Sequence, residues 1–412
     1  MGQLHDKPSD SSTASVWILS ELYAPELTST GYYLTKIAER AAARLGTPVR
    51  VVCSQPTYSA RGLNAPRREQ LGGVDVVRTW SPSLPKDSLP GKLGNMIAFS
   101  VGVSAILCRS VRPGDVVLAV TNPPLLPYLA SLVARWRGAR FVLLVHDMFP
   151  ETLVVAGLAG SSSLAVRVLD AASRALVRSA HTVVAIGRDM EVRLVAKGAR
   201  KTCVIPNWAD VQEITAVPTP PSCAANTPFI VQYAGNIGRT HDVELLLDVA
   251  EQLGPAVRWD FIGTGARRQF VESAAAARGL SNVRIADYRP RPERSASLGA
   301  CHVAVISFVA GMSGISVPSR MYNVMAAARP IIAVCDDDAE IARVIRERRI
   351  GWVVPPGDTA ALAAAVTAAA SSPDECAAMG ARARAAAEGE YSSDQVLERY
   401  ASALASVVEL RV

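Results

Sequence analysis

Three stretches of this chain carry side chains whose types and spacing suit chemistry at an anionic ligand. Residues 311–334 read GMSGISVPSRMYNVMAAARPIIAV, with hydroxyls at Ser316 and Ser319, a guanidinium at Arg320 and no carboxylate. Pro318 followed by helix-forming residues predicts a helix start near Ser319, where unpaired N–H groups favour an anion. Arginine in the first turn opposes the helix dipole, so Arg320 is expected beside a bound diphosphate. A second stretch, YAGNIGRTHD from Tyr233 to Asp242, follows an apolar run. Gly235 and Gly238 loosen it, Arg239 offers a fork of donors to a phosphate and His241 offers another. The third, LLVHDMFPE, puts His146 and Asp147 at the end of an apolar run. There an imidazole can hydrogen-bond a hydroxyl or phosphate, and a carboxylate can accept from sugar hydroxyls.

A fourth stretch, FIGTG, carries Gly263 and Gly265, but Arg268 stands where a dinucleotide fingerprint has its third glycine, and the chain has no Walker lysine motif. That argues against NAD and ATP. The glycine pair either lets a loop turn above a sheet or lines a nucleotide pocket. His5, His181 and His302 complete the five histidines without metal-ligand spacing, and no Gly-x-Ser-x-Gly elbow occurs. The seven cysteines, at 53, 108, 203, 223, 301, 335 and 376, are odd in number and not closely paired. They suit a reducing cytoplasm. The net charge of +6 suits a phosphate-bearing ligand or an anionic membrane face. No dense basic block is interleaved with aromatics, so nucleic acid is not an expected partner. Arg61, Arg67 and Arg68 read as a basic loop, facing either an anionic acceptor, lipid headgroups or solvent.

These groups must be positioned by regular elements, and apolar runs alternate with helical patterns throughout. Continuously apolar runs such as VWILS, DVVLAVT, FIVQYAG and HVAVISF read as strands of a parallel sheet covered on both faces. In residues 163–180, Leu164, Val168, Ala171, Ala172 and Ala175 recur at three- and four-residue steps and predict an amphipathic helix. A further helix is expected around Asn95 to Arg109. Val116 to Ala134 is uncharged, but Asn122 and its prolines make it a poor membrane span. Residues 211–228, VQEITAVPTPPSCAANTP, read as a linker. The expected organisation is a disordered tail over 1–14, one domain over 15–210, a second over 229–385, and a C-terminal helix over 386–412 packing back on the first domain. The fold class is α/β: two doubly wound Rossmann-like domains facing a central cleft, with ligands beyond the carboxyl ends of the strands.

Taken in order, YAPELTSTGYYLTKIAERAAARLG, HDMFPE, VIPNWAD, YAGNIGRTHDVELLLDVA, FIGTG and VPSRMYNVMAAARPIIAV resemble the retaining glycosyltransferases of the two-Rossmann-domain (GT-B) type, family four. The chain is most similar to their bacterial subgroup that moves N-acetylfucosamine-type sugars in polysaccharide assembly. The resemblance implies transfer of a hexose-like sugar from a nucleoside diphosphate, UDP or GDP, with retention and without metal or cofactor. The first domain would bind the acceptor and the second the donor. Gly31, beside Thr30, matches the family's glycine loop, and His146 or Asp147 matches the histidine that touches the donor sugar. The family's diphosphate-binding arginine and lysine fall on Asn236 and His241, leaving Arg239 as the substitute. Its two glutamates fall on Ile315 and Asn323, which implies a deoxy or N-acetylated sugar. The subgroup's proline-serine-lysine run appears as Pro318, Ser319 and Arg320. Gly235, Gly238, Gly263, Gly265 and Ser316 complete the expected donor set. The acceptor would be a lipid-linked saccharide or a small secondary metabolite, as in polysaccharide or antibiotic biosynthesis. The protein would be cytoplasmic, at the inner membrane face where the acceptor is lipid-linked. A nucleotide-sugar epimerase and a non-catalytic binding partner are the alternative readings.

Overall fold

The computed structural model describes residues 14–26, 28–56, 65–80, 82, 84, 89–220 and 227–409. Arg61, Cys223 and most of the expected N-terminal tail lie outside them. Along the first half run β1 (Val16–Leu19), α1 (Ser29–Arg44), β2 (Val49–Cys53), β3 (Arg68–Leu71), β4 (Val74–Arg78) and α2 (Leu89–Ser110). They are followed by β5 (Val116–Val120), α3 (Leu126–Trp136), β6 (Arg140–Val145), α4 (Glu151–Val155), α5 (Leu164–Ser179), β7 (Thr182–Ala185), α6 (Arg188–Ala196) and β8 (Thr202–Val204). The sheet order is β3-β4-β2-β1-β5-β6-β7-β8. β1 pairs in parallel with β2 and β5, setting Val16 against Val49 and Val116. Every residue of β5 is buried, as continuous apolar runs in a doubly covered sheet require. β3 runs antiparallel to β4 and begins at Arg68, which the sequence placed in a loop. Its charged residues mark an edge strand that resists further pairing.

The second half carries β9 (Phe229–Ala234), α7 (Val243–Leu253), β10 (Val257–Ile262), α8 (Arg268–Ala277), β11 (Val283–Ala286), α9 (Arg294–Gly299) and β12 (Val303–Ser307). Then come α10 (Arg320–Ala326), β13 (Ile331–Val334), α11 (Glu340–Arg348), β14 (Gly351–Val354), α12 (Thr359–Ser371), α13 (Pro373–Glu388) and α14 (Ser393–Val408). Its six strands are parallel, in the order β11-β10-β9-β12-β13-β14. Val231, Trp259, Phe261, Val305 and Ile332 are buried in its core. The expected fold class is therefore present: two α/β domains of Rossmann type, each built on a doubly wound sheet.

By compactness, the described residues up to Leu144, Ser179–Thr182 and those from Tyr400 on form one unit. Val145–Arg178 and Val183–Arg399 form the other. Within the first unit, Arg140 Nη1 donates to Val407 O at 2.8 Å, placing a cation on the last carbonyls of α14. α2 starts at Leu89, earlier than the Asn95 expected, and 89–110 is acid-free.

The helix predicted over 163–180 forms as α5, but it buries a different face. Leu164 is 75% exposed and Val168 59%, while Val166, Leu176 and Val177 are buried. Both faces of α5 are apolar enough to satisfy the period, so docking against its neighbours selects the face.

Candidate functional site

The second unit gathers its polar groups where β9 and β10 end. Beyond β9, Gly235 takes φ 146°, and a side chain there would meet the Arg320 guanidinium, with Cβ only 2.8 Å from Cζ. Gly263, beyond β10, packs its α-carbon against Gly235, since a Cβ would lie 2.0 Å from Gly235 O. The two strand-end loops thus touch through bare backbone, and Arg320 lies across them. Its guanidinium stands 4.8 Å from the Tyr233 ring centroid, within cation–π range. Tyr233 Oη donates to Asn236 O at 2.7 Å, and Arg320 Nη2 donates to the same oxygen at 3.2 Å.

His241 fixes the other side of Arg320. It is 5% exposed and stacked on Phe308 with ring centroids 5.1 Å apart. Its Nδ1 is 2.6 Å from Ser307 O, an oxygen that can only accept, so Nδ1 carries the proton. Nε2 is then the acceptor for Arg320 Nη2 at 3.1 Å. Burial, and next the charge of Arg320, push the imidazole pKa down to about 3. His241 is therefore neutral and positions Arg320, its ring nitrogens already occupied. Arg320 Nη1 is buried without a hydrogen-bond partner among the described residues.

The loop ahead of α10 is held by carboxylates from elsewhere. Gly311 N and Ser313 N donate to Asp336 at 3.0 and 2.8 Å, and Gly314 N donates to Asp189 Oδ2 at 2.8 Å. Ile315 is 1% exposed, and its amide donates to Met312 O at 3.0 Å, so it is not free to meet a ligand. Ile315 O accepts from Met148 N at 3.0 Å, and Asp147 bridges Ser316 in antiparallel register. α10 has seven residues, and Ser319 makes no side-chain cap. A short helix has a weak dipole, so the positive field here comes chiefly from Arg320 itself.

That bridge brings the HDMFPE segment to the same loop. His146 and Asp147 are partly buried. Burial lowers the His146 pKa to about 4, so the ring is neutral at physiological pH. Burial raises the Asp147 pKa, opposed by a hydrogen bond with Ser316.

The remaining expected residues are spread around this frame. Arg239 is exposed and Gly238 buried in the loop after β9. Asn236 Oδ1 lies 2.6 Å from where a Gly265 Cβ would stand, so Gly265 closes the same corner. Ser319 and Asn323 are partly buried at the start of α10. Gly31 belongs to the first unit: its amide donates to Thr28 Oγ1 at 3.3 Å in the first turn of α1, packed under Glu26. Among the described residues, no three His, Cys, Asp or Glu side chains are grouped to hold a metal ion. The sequence reading missed Tyr233, Asp189 and Asp336. A tyrosine ending a strand beside glycine was the one available signal; the two aspartates act on amides over a hundred and some twenty residues away.

The arrangement can present one pinned guanidinium, with an unpaired donor, to an anion, beside the segment whose His146 and Asp147 can hydrogen-bond sugar hydroxyls. Residues 30–208 match a glycosyl transferase 4-like domain, and residues 228–372 match the glycosyl transferases group 1 domain. The chain is 34% identical to the probable glycosyltransferase WbjE of Pseudomonas aeruginosa, over 85% of this chain and 88% of that protein. It is 25% identical to the putative colanic acid biosynthesis glycosyl transferase WcaI of Escherichia coli K12, over 78% of this chain and 83% of that one. In fold it is similar to Anabaena HepE in complex with UDP-glucose, with a TM-score of 0.70 and 15% identity over 95% and 99% of the two chains. The chain belongs to the glycosyltransferases that join a 4-like domain to a group 1 domain, and it transfers a sugar from a nucleoside-diphosphate donor to an acceptor.

Proposed function

We propose that this protein is a retaining hexosyltransferase of polysaccharide assembly, using a UDP-linked deoxy or N-acetylated sugar and a lipid-linked saccharide acceptor. The observation that carries the diphosphate assignment is Arg320. Its Nη2 is tied to His241 and Asn236 O, while the buried Nη1 has no partner among the described residues. A desolvated guanidinium nitrogen is costly to leave unpaired, and a diphosphate oxygen is the acceptor that best satisfies it. Colanic acid biosynthesis, named for the relative WcaI, and the UDP-glucose bound by HepE support the polysaccharide and UDP choices. The N-acetylfucosamine-type subgroup remains our assignment from motif resemblance.

In the mechanism we favour, the donor C1–O bond to the diphosphate breaks as the acceptor hydroxyl enters on the same face. Negative charge develops on the leaving oxygen, and Arg320 with Arg239 stabilises it by a preorganised electrostatic effect. The acceptor proton passes to a diphosphate oxygen. Neutral His146 holds the sugar by hydrogen bonding, since its depressed pKa leaves no cation to donate a proton. Asp147 orients that corner through Ser316. Isothermal titration with UDP and GDP tests the reading: tighter UDP binding is expected, and tenfold tighter GDP binding would reverse the choice. Proton NMR of the anomeric product separates retention from inversion.

A further inference from the structure

Beside the Ile315 loop, on the side of α4, α5 and α6, lies a cavity of about 490 Å³. Its walls include Pro150, Glu151, Val155, Arg193, Gly311 and Ile315, all within the second unit. Glu151 Oε1 accepts from Lys197 Nζ at 2.7 Å. Lys197, 5% exposed, is also tied to Asp170 at 2.6 Å, so this end of the carboxylate is fixed from behind. The other oxygen, Glu151 Oε2, is buried and has no partner among the described residues. Arg193 lines the cavity too, its stem pressed under Gly314, where a Cβ would lie 2.7 Å from Arg193 Cδ. Its guanidinium makes no hydrogen bond or ion pair with the described residues. The Met148–Ile315 main-chain bond fixes Glu151's segment to the loop that forms part of the lining.

We infer that this cavity binds a hexose unit of the transfer reaction, with Glu151 Oε2 accepting a hydrogen bond from one of its hydroxyls. Apolar Val154, Val155 and Ile315 suit the C–H faces or a methyl group of the sugar, while carboxylate and guanidinium suit its hydroxyls. Glu151 thereby supplies, from a separate segment, the carboxylate that residues 311–323 do not contain. The inference rests on the nucleotide-sugar transferase reading. The hexose could belong to the donor or to the acceptor, and the measurement separates the two.

The full chain, Glu151→Gln and Val155→Phe are each titrated with UDP and GDP by calorimetry. Saturation-transfer NMR then follows UDP-glucose, UDP-N-acetylglucosamine, GDP-mannose and GDP-fucose, and the methyl glycosides of the same four sugars with and without nucleotide. The expected result is unchanged nucleotide affinity, within twofold, and saturation of at least one hexose that drops at least fivefold in both variants. A response confined to conjugates assigns the cavity to the donor sugar, and one on methyl glycosides assigns it to the acceptor. Undiminished transfer in the variants, or no hexose signal from a chain that binds nucleotide, overturns the inference. Failure of both nucleotides to bind overturns the donor reading instead, and the glycoside arm still decides the cavity. Glu151→Gln keeps the side-chain shape, so it decides alone should Val155→Phe fail to fold.

Discussion

His241 Nε2 accepts from Arg320 Nη2 at 3.1 Å, with its Nδ1 proton committed to Ser307 O at 2.6 Å. A neutral imidazole thus aims a guanidinium, leaving Nη1 as the open donor. Arg320→Lys keeps the charge but loses the fork that reaches both His241 and a phosphate oxygen. Nucleotide affinity should fall roughly 10- to 150-fold, the cost of a charge-assisted hydrogen bond of about 1.5–3 kcal/mol. Arg239→Ala, at an exposed position, should weaken binding less and lower turnover. Calorimetry with UDP checks both, and unaltered affinity in Arg320→Lys removes that residue from the site.

The same pair has a consequence for acid stability. The His241 pKa is about 3 in the fold, against about 6.5 for a free imidazole. Between those values the unfolded chain binds the extra proton, so stability rises with pH through this window and is lost as pH falls below about 6.5. His146, held near 4, adds to the trend. His241→Gln retains an acceptor for Arg320 but does not titrate. Wild type should melt higher than this variant at pH 7, with the gap narrowing towards pH 5. A gap that stays constant in differential scanning fluorimetry would show that His241 is not held neutral by the fold.

Much of this frame is legible in residue order. Continuous apolar runs mark the buried strands, and the glycines of YAGN and FIGTG mark the strand-end loops. Arg320 stands out because an arginine at a helix start asks for an anion. What was not legible depends on partners distant in sequence. The His241–Arg320 bond joins residues 79 apart, and the carboxylates that hold the Gly311 loop come from Asp189 and Asp336. The buried face of α5 was misread because Val166, Leu176 and Val177 compete with an equally apolar set at Leu164 and Val168. β3 escaped notice since an edge strand reading REQL has no apolar alternation.

Backbone contact between the two loops makes Gly263 intolerant of any side chain. An added Cβ would lie 2.0 Å from Gly235 O, at a φ of 143° that L-residues rarely adopt. Gly254 is the control: φ is 58° and nothing lies within 4 Å of its added Cβ. With ψ at −154° this is a conformation that only glycine readily adopts, so Gly254→Ala should cost about 1–3 kcal/mol from backbone strain alone. Gly263→Ala should cost more than ~4 kcal/mol or leave no folded protein, because backbone rather than a flexible side chain must move. Comparable melting temperatures for the two variants would mean the loops can separate freely.

The acceptor side of the proposal predicts membrane contact by the first unit. α2 is long and apolar enough to cross a membrane from Pro90 to Ser110, yet Phe99, Val103 and Leu107 are buried in the core. Its other face exposes Leu93, Ile97 and Val101 at four-residue steps, 46 to 55% exposed. α2 packs beside α3, which exposes Leu132 and Trp136. Neither helix contains an acidic residue, and their charges are Lys92, Arg109 and Arg135. An exposed apolar stripe on helices whose only charges are cations is suited to an anionic bilayer, with apolar side chains entering the interface and cations meeting headgroups. Wild type should co-sediment with phosphatidylglycerol-containing vesicles more than with phosphatidylcholine, and high salt should reduce the bound fraction. Ile97→Glu should cut binding at least fivefold without changing UDP affinity, since the substitution falls on an exposed position in the other unit. Vesicle binding that ignores both salt and Ile97→Glu would exclude this face as the membrane contact.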